Sequence, residues 1–178
     1  MIEVEVKARV DHDRAQDILC LLGIPRVSVK VMTDTYYDTP ALNLYGRGES
    51  LRIRQSIDGL ELVFKGKRVS TDSRSRQEIN TKIHRLNIEA TLHALGYNRI
   101  ASFSKIRETF LFGDVEIALD TLEMGAFMEF EMLVRDEQDV PAAEETIMET
   151  VALLGITRKD IVDRSYLELH LETHEKRK

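Results

Sequence analysis

Glu3-x-Glu5-x-Lys7 opens the chain, and the spacing places three charged groups on one side of an extended segment. In a β-strand successive side chains point to opposite faces, so Ile2, Val4, Val6, Ala8 and Val10 share one face and Glu3, Glu5, Lys7 and Arg9 the other. The same division recurs further along. Leu51 and Ile53 oppose Arg52 and Arg54; Leu62 and Phe64 oppose Glu61, Lys65 and Lys67; Ile106 and Phe110 oppose Lys105 and Arg107. Ile117 and Leu119 oppose Asp120, and Met128, Phe130 and Met132 oppose Glu129 and Glu131. Arginine offers a planar fork matched to phosphate oxygens and lysine adds point charge, so the basic set suits a polyanion such as a triphosphate. Carboxylates without a cysteine or histidine cluster favour hard cations bound through oxygen, Mg²⁺ or Mn²⁺. The pairs Glu3/Glu5 and Glu129/Glu131, with Asp120, are candidate ligands for one or two such ions, which would offset charge on a leaving group.

These residues need strands to position them. Asp11 caps a helix ending at Leu22 and Gly23. A second strand runs from Val27 to Asp38, a loop from Pro40 to Gly48, and a hairpin turns at Asp58-Gly59. Gly66 to Ser75 is a polar connection, and a strand lies around Arg76-Gln77-Glu78-Ile79. A helix spans Ile88 to Leu95. A meander follows, Lys105–Phe112, Val115–Leu122 and Phe127–Arg135, and then helices from Pro141 to Leu154 and from about Lys159. Eight strands with helices imply an α+β class built on antiparallel pairing. If the helices cover the apolar face, the charged face lies on the other side. A twisted sheet of this size tends to close into a barrel, which would bring Lys7, Arg9, Arg52, Arg54, Lys65, Lys67, Arg76, Lys105 and Arg107 inside with Glu3, Glu5, Glu78, Asp120, Glu129 and Glu131. An open sheet with its charged face in water is the alternative.

At 178 residues the chain is read as a single domain over 1–173 with a charged tail at 174–178. A net charge of −6 argues against DNA and anionic membranes as partners of the whole surface. One cysteine, Cys20, permits no internal disulfide and fits a reducing compartment. No apolar run reaches the roughly 20 residues of a membrane helix, and the N-terminus reads as a strand rather than a signal peptide, so a cytoplasmic protein is expected. A homodimer is a candidate assembly. No G-x-x-x-x-G-K-[ST] occurs, so Gly46-Arg47-Gly48 and Gly66-Lys67 do not make a P-loop. His170 and His174, four apart near the C-terminus, are assigned to a solvated helix. His12, His84 and His93 are assigned to the surface.

The ordered set Glu3-x-Glu5-x-Lys7, Asp34-Thr35-Tyr36-Tyr37-Asp38, Leu51-Arg52-Ile53-Arg54, Phe64-Lys65-Gly66, Arg76-Gln77-Glu78, Lys105-Ile106-Arg107, Asp120, Gly125-x-Phe127-x-Glu129-x-Glu131 and Ser165-Tyr166-Leu167-Glu168-Leu169 resembles the CYTH superfamily of triphosphate tunnel enzymes, most closely the prokaryotic CyaB-type class IV adenylate cyclases. The resemblance implies a closed or nearly closed eight-stranded antiparallel tunnel. It implies a triphosphate held by Lys7, Arg52, Arg54, Lys65, Arg76, Lys105 and Arg107, and Mg²⁺ or Mn²⁺ held by Glu3, Glu5, Asp120, Glu129 and Glu131. Glu78 would orient Arg76 or Lys65. Glu5 is the candidate base or water-orienting group, with Lys65 and Arg107 also counted as catalytic. The expected reaction is ATP to cyclic AMP and pyrophosphate. The alternatives are hydrolysis of inorganic, thiamine or RNA 5′ triphosphate, and polyphosphate binding without turnover.

Overall fold

A computed structural model describes residues 1–68, 75–83 and 87–175. Strand β1 (Ile2–Val10) leads through helix α1 (His12–Leu21) to β2 (Arg26–Asp38) and a single helical turn, α2 (Asn43–Gly46). The hairpin β3 (Ser50–Ser56) and β4 (Gly59–Arg68) precedes β5 (Arg76–Ile83) and α3 (Ile88–Ala94). The meander β6 (Asn98–Phe112), β7 (Val115–Leu122) and β8 (Gly125–Val134) is followed by α4 (Val140–Leu153) and α5 (Tyr166–Glu175). Every pairing is antiparallel, and the strands close in the order β1-β5-β4-β3-β2-β6-β7-β8. Closure leaves no sheet edge over most of the circuit. The expected α+β barrel is therefore the fold.

Alternation decides which face is which. Val4, Val6, Ile117, Leu119, Met128 and Phe130 point outward and are at most 3% exposed, packed beneath Leu19 of α1 and Ile147 and Val151 of α4. A second apolar cluster, Tyr37, Ile53 and Leu92, seats α3 on β2 and β3. Truncating a fully buried ring such as Phe130 to alanine removes about 3–5 kcal/mol. The helices do not cover the whole outer face. Val27, Val29, Val31 and Ile106 remain largely exposed where β2 runs beside β6, so part of the outer apolar face has no helix over it.

The barrel has one thin seam. β1 shares nine registered pairs with β8 but only two with β5, Ile2 with Gln77 and Glu3 with Arg76. Where β5 stops, the connection between α4 and α5 takes over. The Arg9 N–H donates to the Asp160 carbonyl at 2.8 Å, the Val162 N–H donates to the Lys7 carbonyl at 2.8 Å, and Ala8 bridges Ile161. Residues 161–165, which follow a turn at 158–160, thus run as a strap along β1, not within a helix from about Lys159 as their sequence suggests, and α5 begins only at Tyr166. It continues to Glu175, so residues 174 and 175 of the expected tail are helical. β6 also starts earlier than the alternation shows, at Asn98, because Ser102 and Ser104 take outward positions in its first half. Those serines pair across the outer face, Ser104 with Thr33 at 2.9 Å and Ser102 with Thr35 at 3.0 Å. The polar connection Gly66–Ser75 contributes its first three residues to β4; residues 69–74, and His84, lie outside the described residues.

Candidate active site: the charged interior of the barrel

The inward positions of the strands converge on one cavity of about 820 Å³. Lys7, Arg52, Arg54, Lys65, Arg76, Lys105 and Arg107 line it, and so do Glu3, Glu5, Glu78, Glu129 and Glu131. Asp120 is fully buried in its wall, against Lys105 and Arg107. Two of the expected bases are elsewhere. Arg9 lies over the Phe127 ring, 4.6 Å from its centroid, and donates to the Met124 carbonyl at 3.1 Å. Lys67 is exposed and outside the lining. Arg9 also explains Gly125, whose φ of +123° no other residue adopts readily and whose Cβ would meet Arg9 Nη1 at 2.7 Å.

One side of the interior is a closed network. Asp120 accepts from Lys105 Nζ at 2.7 Å, from Arg107 Nε at 2.8 Å and Nη2 at 2.6 Å, and from the Tyr166 hydroxyl at 2.9 Å. Glu129 is paired with Lys7 Nζ at 3.0 Å and with Arg107. Despite burial, Arg107 and Lys105 hold Asp120 below the usual carboxylate range, and Lys7 and Arg107 hold Glu129 well below it. Burial, with Arg107 beside it, pushes Lys105 down to about 8, outweighing Asp120. Tyr166 closes this end: its ring centroid is 3.8 Å from Lys7 Nζ and 5.0 Å from Lys105 Nζ, a cation–π arrangement, and Phe127 meets it edge-on at 5.3 Å. On the neighbouring wall Asp34, 1% exposed, takes a bidentate pair from Arg54, 2.8 Å on each oxygen, and a longer contact of 3.4 Å from Arg52.

The other side is crowded with acid. β1 and β8 set Glu5 opposite Glu131, and Glu3 lies one step along the same face. Lys65 Nζ serves Glu3 at 2.6 Å, Glu78 at 2.7 Å and Glu5 at 3.9 Å. Arg107 approaches Glu131 only to 3.5 Å. Burial, then repulsion from Glu3, Glu129 and Glu5, pushes Glu131 well above the usual carboxylate range; burial also raises Glu3, with Glu5 and Glu78 adding to it. Lys65 draws Glu78 down against burial. Among the described residues, no three Asp, Glu, His or Cys side chains stand close enough to hold a metal unaided. The mutual repulsion of Glu3, Glu5 and Glu131 nevertheless fits a divalent cation completed by phosphate oxygens and water, since Mg²⁺ commonly takes only one or two carboxylates from protein.

Asp34 and Tyr166 were not singled out as site residues from the sequence. Asp34 had a usable signal: it shares parity with Tyr36 on β2, the strand whose inward face alternation leaves polar. Tyr166 carries no charge, and only the strap along β1 brings it inside. The described histidines lie outside the barrel interior: His12 Nε2 meets Glu108 at 3.0 Å on the outer face, and His170 lies 5.0 Å from the Phe103 ring and 4.2 Å from that of His174.

A closed antiparallel barrel lined by acids and bases defines a tunnel protein, and comparison with known proteins gives its family. The CYTH domain sequence pattern matches residues 1–166, and the chain belongs to that family. A relative from Methanocaldococcus jannaschii, named "Putative adenylate cyclase MJ0240", is 30% identical over 95% of this chain and 98% of its own length. "Adenylate cyclase CyaB" from Aeromonas hydrophila is 30% identical over 94% of this chain and 87% of its own. The solved structure of PH1819 protein from Pyrococcus horikoshii superposes with a TM-score of 0.88 at 30% identity, over 96% of this chain and 99% of that one. No described helix is long and apolar enough to cross a membrane.

Proposed function

We propose that the protein is a divalent-metal-dependent adenylate cyclase, converting ATP to cyclic AMP and pyrophosphate inside the barrel. The observation that carries this reading is the division of the cavity wall into a base-rich network and an acid cluster around Glu131. The cyclase names of two relatives that align along nearly the whole chain support it. Arg52, Arg54, Lys65, Arg76, Lys105 and Arg107 supply convergent donors from several strands, enough to surround three phosphate groups. Asp34 and Asp120 hold Arg54 and Arg107 in fixed geometry, so the grip is organised before the ligand arrives. When bound to Glu3, Glu5 and Glu131, Mg²⁺ or Mn²⁺ would supply charge against the pyrophosphate as it leaves. Lys65, shared between Glu3 and Glu78, and Arg107, shared between Asp120 and Glu129, stand between the two zones and stabilise the same developing charge. Glu5 orients the attacking 3′-hydroxyl or takes its proton. Tyr166 and Phe127 shut one end of the tunnel and exclude water from that step.

Product analysis tests the reading. Incubation with ATP and Mg²⁺ or Mn²⁺ is expected to yield cyclic AMP and pyrophosphate, with Glu5→Gln inactive though folded. Orthophosphate from ATP or tripolyphosphate, without cyclic AMP, would overturn the cyclase assignment in favour of a triphosphatase. Tight binding of ATP without any product would leave a polyphosphate-binding module.

A further inference from the structure

Outside the barrel, one stretch of wall is apolar yet uncovered. Val27, Val29 and Val31 alternate along the outer face of β2 and are 51%, 52% and 63% exposed. Ile106 pairs with Val31 from β6 and is 46% exposed. Ile57, at the turn between β3 and β4, is 86% exposed. The register of Thr33 with Gln55 leads next to Val31 beside Ile57, and Lys30 Nζ fastens the turn by pairing with Asp58 at 2.6 Å. Ile57, Val31 and Ile106 therefore form one row across three strands. None of the five belongs to the apolar clusters beneath α1, α3 and α4.

This face carries little unmatched charge. Thr33, Gln55, Ser104 and Thr121 surround the row with hydroxyl and amide groups. Glu108, opposite Val29, faces outward too, but it is 6% exposed and is met by His12 Nε2 at 3.0 Å, Gln16 Nε2 at 2.8 Å and Arg26 Nη1 at 2.6 Å. Arg26 and Lys30 are thus each matched to an acid. The whole chain carries −6, so two copies repel over most of their surface and can approach where charge is cancelled. An apolar centre ringed by polar groups is also the make-up of a protein interface, whereas nucleic acid or an anionic membrane needs unpaired cations. Residues 27–35 span roughly 30 Å, and β3, β2, β6 and β7 together make a face about 20 Å wide. That approaches the roughly 800 Å² each partner gives to a stable interface.

We propose that the protein forms a two-fold dimer through the β2–β6 face, the Ile57–Val31–Ile106 row of one copy lying against the same row of the other. A two-fold axis presents one patch from both copies, so the apolar row meets itself and the paired hydroxyls of Thr33 and Ser104 fall at its margin. Lys105 and Arg107 flank Ile106 on β6, so the contact backs the wall whose inner side carries the basic network.

Sedimentation velocity on the purified protein, up to tens of micromolar, reads the oligomeric state. The unmodified protein should sediment at twice the chain mass. Val31→Lys sets like charges against each other near the two-fold axis and should raise the dissociation constant by at least about tenfold. Ile57→Lys should do the same. Both positions are exposed, so circular dichroism should not change; if Val31→Lys loses structure, Ile57→Lys in the turn decides the matter. Leu153→Lys adds the same charge to a half-exposed residue of α4, on the far side of the barrel over β1 and β8, and should leave the dimer intact. A monomer at every concentration overturns the proposal and leaves the face to a different partner. A dimer that both Val31→Lys and Ile57→Lys leave as tight as the parent also overturns it, by placing the interface elsewhere.

Discussion

Two zones of one tunnel wall are built from the same residue types and behave in opposite ways. Around Asp120 and Glu129 each carboxylate is met by several donors, and both acids are held ionised. Around Glu3, Glu5 and Glu131 acids face acids across the β1–β8 ladder, with Lys65 divided among Glu3, Glu5 and Glu78, and burial pushes Glu131 and Glu3 toward the protonated form. Buried charge is costly in either place. The first zone offsets that cost internally and is organised before any ligand arrives. The second offsets it only partly, and is therefore where an added cation gains most. The identity of a side chain says little about its role; how completely its partners satisfy it says much more.

The sharpest way to break this contrast is Asp120→Asn. Removing the shared counter-charge leaves Lys105 and Arg107 buried against each other, and a loss of about 3–5 kcal/mol in urea unfolding is expected. A change below 1 kcal/mol would show that the network is not the closed unit described. Glu131→Gln tests the other zone. Its stability should match or exceed the parent, because a strained acid is replaced by a neutral amide, while metal-dependent turnover falls. The pH dependences should have opposite signs. A carboxyl raised in the folded state binds more protons folded than unfolded once pH passes its ordinary value of 4.5, so its contribution declines as pH rises. Asp120, lowered in the folded state, stabilises above its ordinary 3.8 and loses that contribution as pH falls. Glu131→Gln should therefore flatten the decline on the alkaline side, and a parallel shift of the whole profile would count against the contrast.

Lys105 gives a smaller effect that also joins the two zones. With its ordinary 10.5 lowered to about 8, it loses its proton before any other lysine for which a shift is resolved. A bound triphosphate restores that proton, so binding should take up protons above about pH 8 and weaken as pH rises further. Calorimetry in buffers of differing ionisation enthalpy measures the uptake; none at pH 9 would contradict the assignment. The smallest change is Tyr166→Phe, which removes one donor from Asp120 while keeping the ring over Lys7, and should cost about 1 kcal/mol.

Much of this was legible in the chain because period-two alternation survives burial on both faces of the barrel. β1, β3, β7 and β8 follow it almost residue by residue, and that alone sorts Glu3, Lys7, Arg52, Asp120 and Glu129 to the inside. It failed where the pattern was diluted or where the partner was remote. Ser102 and Ser104 removed the apolar signal from the first half of β6, since their hydroxyls pair with Thr35 and Thr33 instead of packing. Ile161 and Val162 read as helix because nothing local discloses that β1 has unpaired backbone groups waiting more than 150 positions upstream. Arg9 and Lys67 have the right parity but sit near strand ends, where facing inward no longer means reaching the cavity.

The strap at Asp160–Val162 has a consequence for how the molecule comes into being. Strand β1 finds most of its neighbours far downstream in sequence, in Ala126 to Val134 and then in Asp160 to Val162. Contacts so distant in sequence form slowly, so the barrel must wait as an unclosed sheet until those downstream segments are available. Only then can the tyrosine at the head of the final helix swing in behind the closing strand. The charged cavity should consequently be the last feature of the barrel to form, arriving after its secondary structure rather than with it.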